Sequence, residues 1–179
     1  TLYNNPTVGE DGLNLGRSSS QYASLGTTTI GGTSTFAVWC NVHNYADWQR
    51  LFDFGNGQSS DNILLTAPHG GAQYFAVQGF VGATKKIDLD SVQNISDGNW
   101  THVVVVLDQT SDTVSIYING ILDNAITYTT SDYPTVMART NSYIGRSNWS
   151  SDAYFDGQIK SLNIWERALS VNEITELYN

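Results

Sequence analysis

The stretch from residue 99 to residue 122 constrains the fold of this chain more than any other. Residues 103–107 form an apolar, β-branched run that is too short for a stable helix, so they predict a buried strand. Between residues 114 and 118 every second residue is β-branched and apolar, which is the period of a strand with one buried face. Asn119-Gly120 supplies the positive φ angles of a tight turn, and Ile121 begins another strand. The stretch therefore predicts a three-stranded antiparallel meander.

Similar apolar or alternating segments recur through the rest of the chain, with Gly, Asn and Asp between them. Further strands are predicted at residues 13–15, 22–25, 35–43, 50–54, 62–67, 73–80, 85–89, 124–129, 143–145 and 158–165. Residues 27–34, which are rich in Gly and Thr, are predicted to be a loop. This spacing is typical of a β-sandwich or barrel, and the length suits a single domain over residues 1–179.

One helix is predicted near the C-terminal end. Ser170 precedes Glu173 by the spacing of a capping box, in which each residue satisfies a backbone amide of the other. Ile174 and Leu177 then give the helix one apolar stripe. We expect that stripe to dock on a sheet.

Charge and composition exclude several classes of partner. The chain has 17 acidic and 8 basic residues and a formal net charge of −9, so it should repel nucleic acid. It contains no apolar run long enough to span a bilayer, so no membrane insertion is predicted. Cys40 is the only cysteine, which precludes an intramolecular disulfide and favours a small core residue over a nucleophile.

Several motifs occur along the chain in a fixed order. They are Phe-Ala-Val-Trp-Cys-Asn-Val at 36–42, Trp-Thr-His-Val-Val-Val at 100–105, Leu-Asp at 107–108, Ile-Tyr-Ile-Asn-Gly at 116–120, Tyr-Ile-Gly-Arg-Ser at 143–147 and the tail at 154–170. In this order, over about residues 13–178, they resemble the laminin G-like jelly roll of the concanavalin A-like lectin/glucanase superfamily. The resemblance implies an all-β, two-sheet antiparallel jelly-roll sandwich with one short C-terminal helix. Because this fold carries lectins, receptor-binding modules and glycanases, function has to be argued from the site.

The acidic residues do not match a glycanase pattern. Hydrolysis of a glycosidic bond normally needs two positioned carboxyl groups, which glycanases of this superfamily place as Glu-x-Asp-x-Glu on one strand. The nearest approach is Asp88-Leu89-Asp90, which is predicted to be a strand end that meets solvent. The four glutamates lie elsewhere, at Glu10, Glu166, Glu173 and Glu176. We therefore expect no enzymatic activity and no catalytic residue. His102 lies in the Trp-Thr-His-Val motif and is interpreted as scaffold.

The loop from residue 53 to residue 62 is a candidate calcium site. Its oxygen-bearing side chains include Asp53, Asn56 and Asp61, and oxygen ligands are what calcium requires. The alternative is a solvated hairpin loop with Asx turns. Asp156, in an Asp-Gly pair, is a further candidate ligand. The resemblance adds to the case for a structural calcium ion, although residues 16–22 lack the carboxylates that family members often carry there.

A second loop, residues 146–154, is a candidate ligand site because Trp149 interrupts a polar sequence. An exposed indole stacks on the apolar face of a sugar ring, and Asn148 and Asp152 could hydrogen-bond its hydroxyl groups. The alternative is that Trp149 covers a sheet edge. Further candidates for the same rim are Tyr45, Trp48, His69 and Tyr74. Trp39, Trp100 and Trp165 follow regular strand patterns and are predicted to be core residues.

These features predict a non-catalytic, lectin-like recognition module that binds carbohydrate, with a structural calcium ion. We expect it to be an extracellular or surface-exposed part of a larger protein, with a glycan or a cell-surface or matrix protein as its partner. The alternative is a protein-interaction, adhesion or viral surface domain without a sugar site. The oligomeric state is not predicted.

Overall fold

The computed structural model describes residues 1–179 and is built mainly from β-strands. The strands are β1 (Leu2–Tyr3), β2 (Thr7–Gly9), β3 (Gly12–Leu15), β4 (Tyr22–Ile30), β5 (Ser34–Val42), β6 (Arg50–Gly55), β7 (Ile63–Thr66), β8 (Tyr74–Val81), β9 (Thr84–Asn94), β10 (Trp100–Asp108), β11 (Thr113–Ile118), β12 (Ile121–Thr127), β13 (Met137–Ile144) and β14 (Gly157–Trp165). Two 3₁₀ helices span Arg17–Ser19 and Thr130–Asp132, and α1 spans Val171–Tyr178.

The strands form two seven-stranded antiparallel sheets, which confirms the predicted sandwich. The front sheet has the order β1-β4-β13-β6-β7-β8-β9, and the back sheet has the order β12-β11-β10-β5-β14-β3-β2. The side chains between the sheets form one apolar core of 26 buried residues. Phe36 of the back sheet lies 5.1 Å from Phe52 of the front sheet, measured between ring centroids, and both rings are fully buried.

The predicted meander is confirmed as β10, β11 and β12. Asn119 and Gly120 form the two-residue turn between β11 and β12, with φ angles of 51° and 78°. Both central residues of such a turn need positive φ, which is why Asn-Gly is the favoured pair.

The predicted helix is also confirmed. The Ser170 side chain accepts the Glu173 backbone N–H, and Glu173 accepts the Ser170 backbone N–H. Ile174 is fully buried against the outer face of the back sheet, whereas Leu177 remains 37% exposed. At eight residues, α1 falls far short of the length needed to cross a bilayer.

Two parts of the chain differ from the predicted strand boundaries. The predicted loop at 27–34 is largely strand, because β4 continues to Ile30 by pairing with β13 across register shifts. Asp88-Leu89-Asp90 does not end a strand but lies in the middle of β9. In both places pairing with a neighbouring strand overrides a composition that favours turns.

The prediction that Trp39, Trp100 and Trp165 are core residues was wrong. Trp39 projects from β5 on the side opposite the buried Val38 and Cys40. All three tryptophans are only partly buried and lie outside the core cluster between the sheets. Trp165 instead packs against the cluster beneath α1.

His102 lies on the same outer face, in an aromatic stack. Its ring centroid is 5.0 Å from that of Trp39 and 6.2 Å from that of Tyr178 at the end of α1. The residue is 2% exposed and its Nδ1 atom has no hydrogen-bond partner. Burial lowers the pKa of His102 to about 4.

His102 should therefore destabilise the fold in mild acid. Between pH 6.5 and about 4, its imidazole is protonated in the unfolded chain and neutral in the folded chain, so stability falls as the pH falls through this window. The shift corresponds to about 3 kcal/mol. In His102→Gln, the loss of unfolding free energy between pH 7 and pH 4, measured by urea titration, should be smaller by about that amount. An equal loss in both proteins would contradict this prediction.

Candidate functional site

Two oppositely charged side chains of β6 project from the outer face of the front sheet. In the pairing with β7, Arg50 lies opposite Thr66 and Phe52 lies opposite Leu65, so β6 has one extra residue at this point. In a regular strand, Arg50 and Asp53 would face opposite sides because they are three residues apart. The bulge places both on the outer face, with Arg50 Nε 3.9 Å from Asp53 Oδ2.

The strand register extends this face across the sheet in two rows. The two rows are Tyr143, Asp53, Leu64, Gln78 and Asp88 in one and Arg50, Thr66, Ala76 and Asp90 in the other. Leu64 and Thr66 are completely buried although they lie outside the core cluster between the sheets. Groups on the outer face must therefore cover the middle of the sheet.

The covering group is the 146–154 loop, which Asp53 anchors. Asp53 is completely buried, and its carboxylate accepts the Asn148 backbone N–H at 2.9 Å and the Asn148 side-chain amide at 2.9 Å. It also accepts the Asn62 side-chain amide at 2.8 Å. A buried carboxylate is stable only when such donors surround it, so its environment fixes the path of the loop.

Arg50 ties the same loop down at a second point. Its guanidinium donates to Asp152 Oδ2 at 2.8 Å and to the Trp48 carbonyl at 3.0 Å. Asp152 Oδ2 also accepts the Ser147 hydroxyl at 2.8 Å, and Ser147 in turn accepts the Trp149 backbone N–H. The backbone on both sides of Trp149 is therefore held by charge-assisted hydrogen bonds.

Burial shifts both members of the charged pair toward their neutral forms. It raises the pKa of Asp53, and the hydrogen bonds from Asn148 and the charge of Arg50 act in the opposite direction. It lowers the pKa of Arg50, which Asp53 and Asp152 oppose. Removing one partner would leave the other as an uncompensated buried charge.

Aromatic rings line the surface above this network. The Arg50 guanidinium carbon lies 5.8 Å from the Trp48 ring centroid and 5.6 Å from that of Trp149. Trp149 also packs against Phe80 of β8, with 5.5 Å between centroids. The Trp48 and His69 rings meet edge-on, with 4.9 Å between their centroids. The indole rings are partly exposed and are held in fixed orientations by these contacts.

A hydrogen-bonded chain forms the wall beside Trp48. His69 Nδ1 lies 2.5 Å from Asp90 Oδ1, and its Nε2 lies 3.1 Å from the Gln78 amide nitrogen. Gln78 also donates to Asp88 at 3.0 Å, and Asp88 is paired with Lys85. The Gln78 side-chain amide therefore links His69 to Asp88.

These groups enclose a depression of about 300 Å³ on the outer face of the front sheet, which we call the front groove. It is lined by Trp48, Arg50, Ser59, Gln78, Phe80, Lys85, Trp149 and Asp152. Two flat aromatic faces stand beside fixed donors and acceptors, an arrangement suited to a polar ligand that also has apolar faces.

The structure brings together some of the ligand residues predicted from the sequence. Trp48, Trp149 and Asp152 line the front groove, and His69 adjoins it through Trp48 and Gln78.

The other three candidates lie apart from the groove. Tyr74 lies on the outer side of β8 at its first residue, opposite Asn94. Asn148 turns beneath the loop to Asp53, and Tyr45 packs against the core with its hydroxyl donating to the Ile95 carbonyl. Whether any of the seven candidates binds a ligand stays a prediction.

Sequence reasoning missed five lining residues as ligand candidates: Arg50, Ser59, Gln78, Phe80 and Lys85. All of these except Ser59 lie within predicted strands, where alternation alone does not show which outer face stays open. A signal was nevertheless present, because Arg50 and Gln78 are long polar side chains in otherwise apolar strands.

The predicted calcium ligands are separated and already have partners. The Asp53 carboxylate is used by amides, Asn56 bridges to β13 through Ala138 and Thr140, and Asp61 Oδ1 accepts the Gly82 N–H. A cation at these oxygens would have to replace those N–H donors, so these side chains do not present a ready calcium site.

Asp156 is engaged in a third place. It accepts from the Asn44 side-chain amide and from the Arg17 backbone N–H. The group of His and Asp side chains whose ligand atoms lie within 4.8 Å of one another is instead His69, Asp88 and Asp90. The calcium assignment stays a prediction.

The chain is similar in sequence and fold to proteins of one superfamily. The family model Laminin_G_3, described as concanavalin A-like lectin/glucanases superfamily, matches residues 17–175. No curated protein sequence matched the chain.

Three solved structures illustrate the similarity in fold. Domain 4 of AbnA, a GH43 extracellular arabinanase from Geobacillus stearothermophilus in complex with arabinotriose, aligns at a TM-score of 0.74 and 20% identity over 100% of this chain and 87% of that one. The Ruminococcus gnavus IT-sialidase CBM40 bound to α2,3-sialyllactose aligns with a TM-score of 0.65 and 15% sequence identity, over 88% of this chain and 96% of the CBM40 chain. A heptameric SAP-like pentraxin from Limulus polyphemus aligns with a TM-score of 0.63 and 13% sequence identity, over 87% of this chain and 72% of the pentraxin chain.

Asn148→Ala should loosen the loop that carries Trp149. The substitution removes side-chain donors to Asp53 and to the Asn141 carbonyl, so the buried carboxylate loses part of its compensation. We expect a loss of about 1–3 kcal/mol in unfolding free energy and faster amide hydrogen exchange across residues 146–154. Asn163→Ala, which removes an exposed amide on the back sheet, is the matched control. Unchanged exchange at Trp149 would show that Asp53 does not anchor the loop.

The calcium prediction has its own measurement. If the ion is structural, the melting temperature should fall on addition of a chelator and recover with excess calcium, because a ligand that binds only the folded state stabilises it. A melting temperature that ignores both additions would remove the calcium assignment.

Proposed function

The chain belongs to the concanavalin A-like lectin/glucanases superfamily, and we propose that it is a non-catalytic module that binds carbohydrate in the front groove. The observation that carries this proposal is the pairing of Trp48 and Trp149 with the polar side chains of Arg50 and Gln78 in one depression. A sugar ring has apolar C–H faces and a rim of hydroxyl groups. Indole faces match the first of these features, and fixed hydrogen-bonding groups match the second.

The polar groups in the groove are suited to hydroxyl recognition. Arg50 is only 3% exposed and is paired with Asp53 and Asp152, so it adds no large net charge to the groove. The partners of Gln78 and His69 fix their orientations. Such preorganised groups lose little conformational freedom when a ligand binds.

The similar structures support a carbohydrate ligand without identifying it. One of them contains arabinotriose and another contains sialyllactose. Both are parts of glycan-acting enzymes by their descriptions, so we further propose that this chain is a targeting module of a larger extracellular protein. The alternative is a protein-interaction, adhesion or viral surface domain without a sugar site.

Asp88 and Asp90 give the enzymatic alternative its one supporting observation, since their carboxylate oxygens lie within 4.8 Å of one another. However, Asp88 is paired with Lys85 and Asp90 with His69, at the edge strand β9. A glycosidase needs one carboxyl group that delivers a proton and a second on the other side of the scissile bond. Two carboxylates held by cationic or N–H partners on one strand do not provide this arrangement.

Binding should depend on Trp149. On an array of neutral and acidic glycans, Trp149→Ala should lose at least tenfold in affinity for every glycan that the wild type binds, because it removes a stacking face. Trp100→Ala, which removes a partly exposed indole from the back sheet, is the matched control and should bind as the wild type does. Circular dichroism and melting curves establish that both variants fold.

Other outcomes would contradict the proposal. If no glycan binds, or if Trp149→Ala binds normally, the front groove is not a carbohydrate site. If the protein releases reducing ends from a polysaccharide that it binds, and Asp88→Ala abolishes this release, the module is an enzyme. That result would contradict the proposal that it is non-catalytic, but not the proposal that it binds carbohydrate.

A further inference from the structure

Beside the front groove lies a cationic side chain that makes no hydrogen bond or ion pair within the protein. Of the five arginines, four donate hydrogen bonds within the protein: Arg17, Arg50, Arg139 and Arg167. The remaining one, Arg146, makes no hydrogen bond and no ion pair. It is only partly exposed, so it is part of the packed surface of the molecule.

Aromatic rings hold the Arg146 guanidinium in place. Its central carbon lies 4.8 Å from the Tyr22 ring centroid and 4.5 Å from that of Tyr143. Tyr22 in turn contacts Tyr143 edge-on at 5.7 Å and Tyr154 at 6.0 Å. We call these four residues the Arg146 patch. A guanidinium that lies against ring faces keeps its N–H donors directed outward around its edge, where a planar anion can be bound by two parallel bonds.

The Arg146 patch is continuous with the front groove. A smaller depression beside the groove is lined by both Arg146 and Tyr154, and it shares Trp149 and Asp152 with the groove. Trp149 therefore stands between the two depressions.

The strand register gives the span of this surface. Tyr143 on β13 and Gln78 on β8 belong to one cross-strand row, separated by three strand spacings. That corresponds to about 14 Å, which a short oligosaccharide can bridge.

Charge differs between the two ends of this surface. Around the groove, Asp53, Asp88, Asp90 and Asp152 outnumber Arg50 and Lys85. An anionic sugar would be repelled there, whereas Arg146 offers a cation that no carboxylate neutralises.

We infer that the Arg146 patch binds an acidic unit, a carboxylate or sulfate group, of the same glycan whose neutral part occupies the front groove. The inference rests on the proposed function and narrows its ligand class to glycans with an anionic substituent on one side of the Trp149 stacking position. The chain would then prefer an acidic glycan over its neutral counterpart despite a net charge of −9, because the local cation lies within contact distance and the distant charges are screened.

The test compares glycans that differ in one unit. Oligosaccharides with a terminal galactose, galacturonic acid, galactose 6-sulfate or sialic acid are titrated calorimetrically into the wild type and the variants. The wild type should bind at least one of the three acidic probes about tenfold or more tightly than the galactose probe. The probe that gains most distinguishes carboxylate from sulfate recognition.

Substitution should remove this preference without removing binding. Arg146→Gln should bind the acidic and neutral probes equally, at the affinity that the wild type has for the neutral probe. Arg146→Lys keeps the charge without the planar fork, so it should retain only part of the preference. Arg167→Gln removes the same charge from an exposed position beside α1 and should behave as the wild type. Raising the salt concentration should weaken wild-type binding of the acidic probe and leave the neutral probe unchanged, and this readout needs no variant.

The two levels of the proposal fail in different ways. Binding that depends on Trp149 but shows no acidic preference, or a preference that survives in Arg146→Gln, overturns the inference and leaves the groove intact. Absence of binding to every probe overturns both.

Discussion

The site depends on one buried carboxylate. Asp53 has no exposed surface, and its charge is compensated by two amide side chains, one backbone N–H and the guanidinium of Arg50. Because an ionised carboxylate loses several kcal/mol of hydration on burial, this set of partners has to remain assembled whenever the protein is folded. One of those partners, Asn148, belongs to the loop that carries Trp149. The requirement to compensate a buried charge is thus also what positions Trp149.

The bulge in β6 is the local irregularity that makes this arrangement possible, and it marks the limit of sequence-based prediction here. The meander, the Asn-Gly turn and the capping box of α1 are local patterns, so they could be read from a few adjacent residues. The bulge is defined by how β6 pairs with β7, and strict alternation would have sent Arg50 and Asp53 to opposite faces. Trp149 and Trp48 could be predicted as candidates from their polar surroundings, whereas Phe80 is an apolar residue in an apolar strand and gave no such signal.

A two-sheet sandwich has two outer faces, and α1 distinguishes them. It docks Ile174 against the back sheet, where Trp39 and His102 stack with Tyr178 and Lys160 lies over two indole rings. Trp39 and Trp100 therefore pack against neighbouring side chains of the back sheet. The sequence alone does not distinguish them from the tryptophans of the front groove. On the front sheet only a loop covers the middle strands, which leaves Trp48 and Trp149 partly exposed beside polar groups. The position of α1 explains why tryptophans on the two faces have different surroundings.

Trp48 shows that the open face is held in a specific conformation at some energetic cost. Its φ angle is +65°, in the left-handed region that a bulky residue rarely adopts. Its carbonyl accepts a hydrogen bond from Arg50, and a Cβ atom added at Gly70 would lie only 3.0 Å from its ring. A side chain at Gly70 would therefore displace the indole from its edge-on contact with His69. Backbone strain of order 1–3 kcal/mol persists only where the surroundings enforce it, and here the enforcing residue is Arg50, which also holds Asp152 and contacts Trp149. The strained tryptophan, the buried ion pair and the loop are thus parts of one preorganised surface.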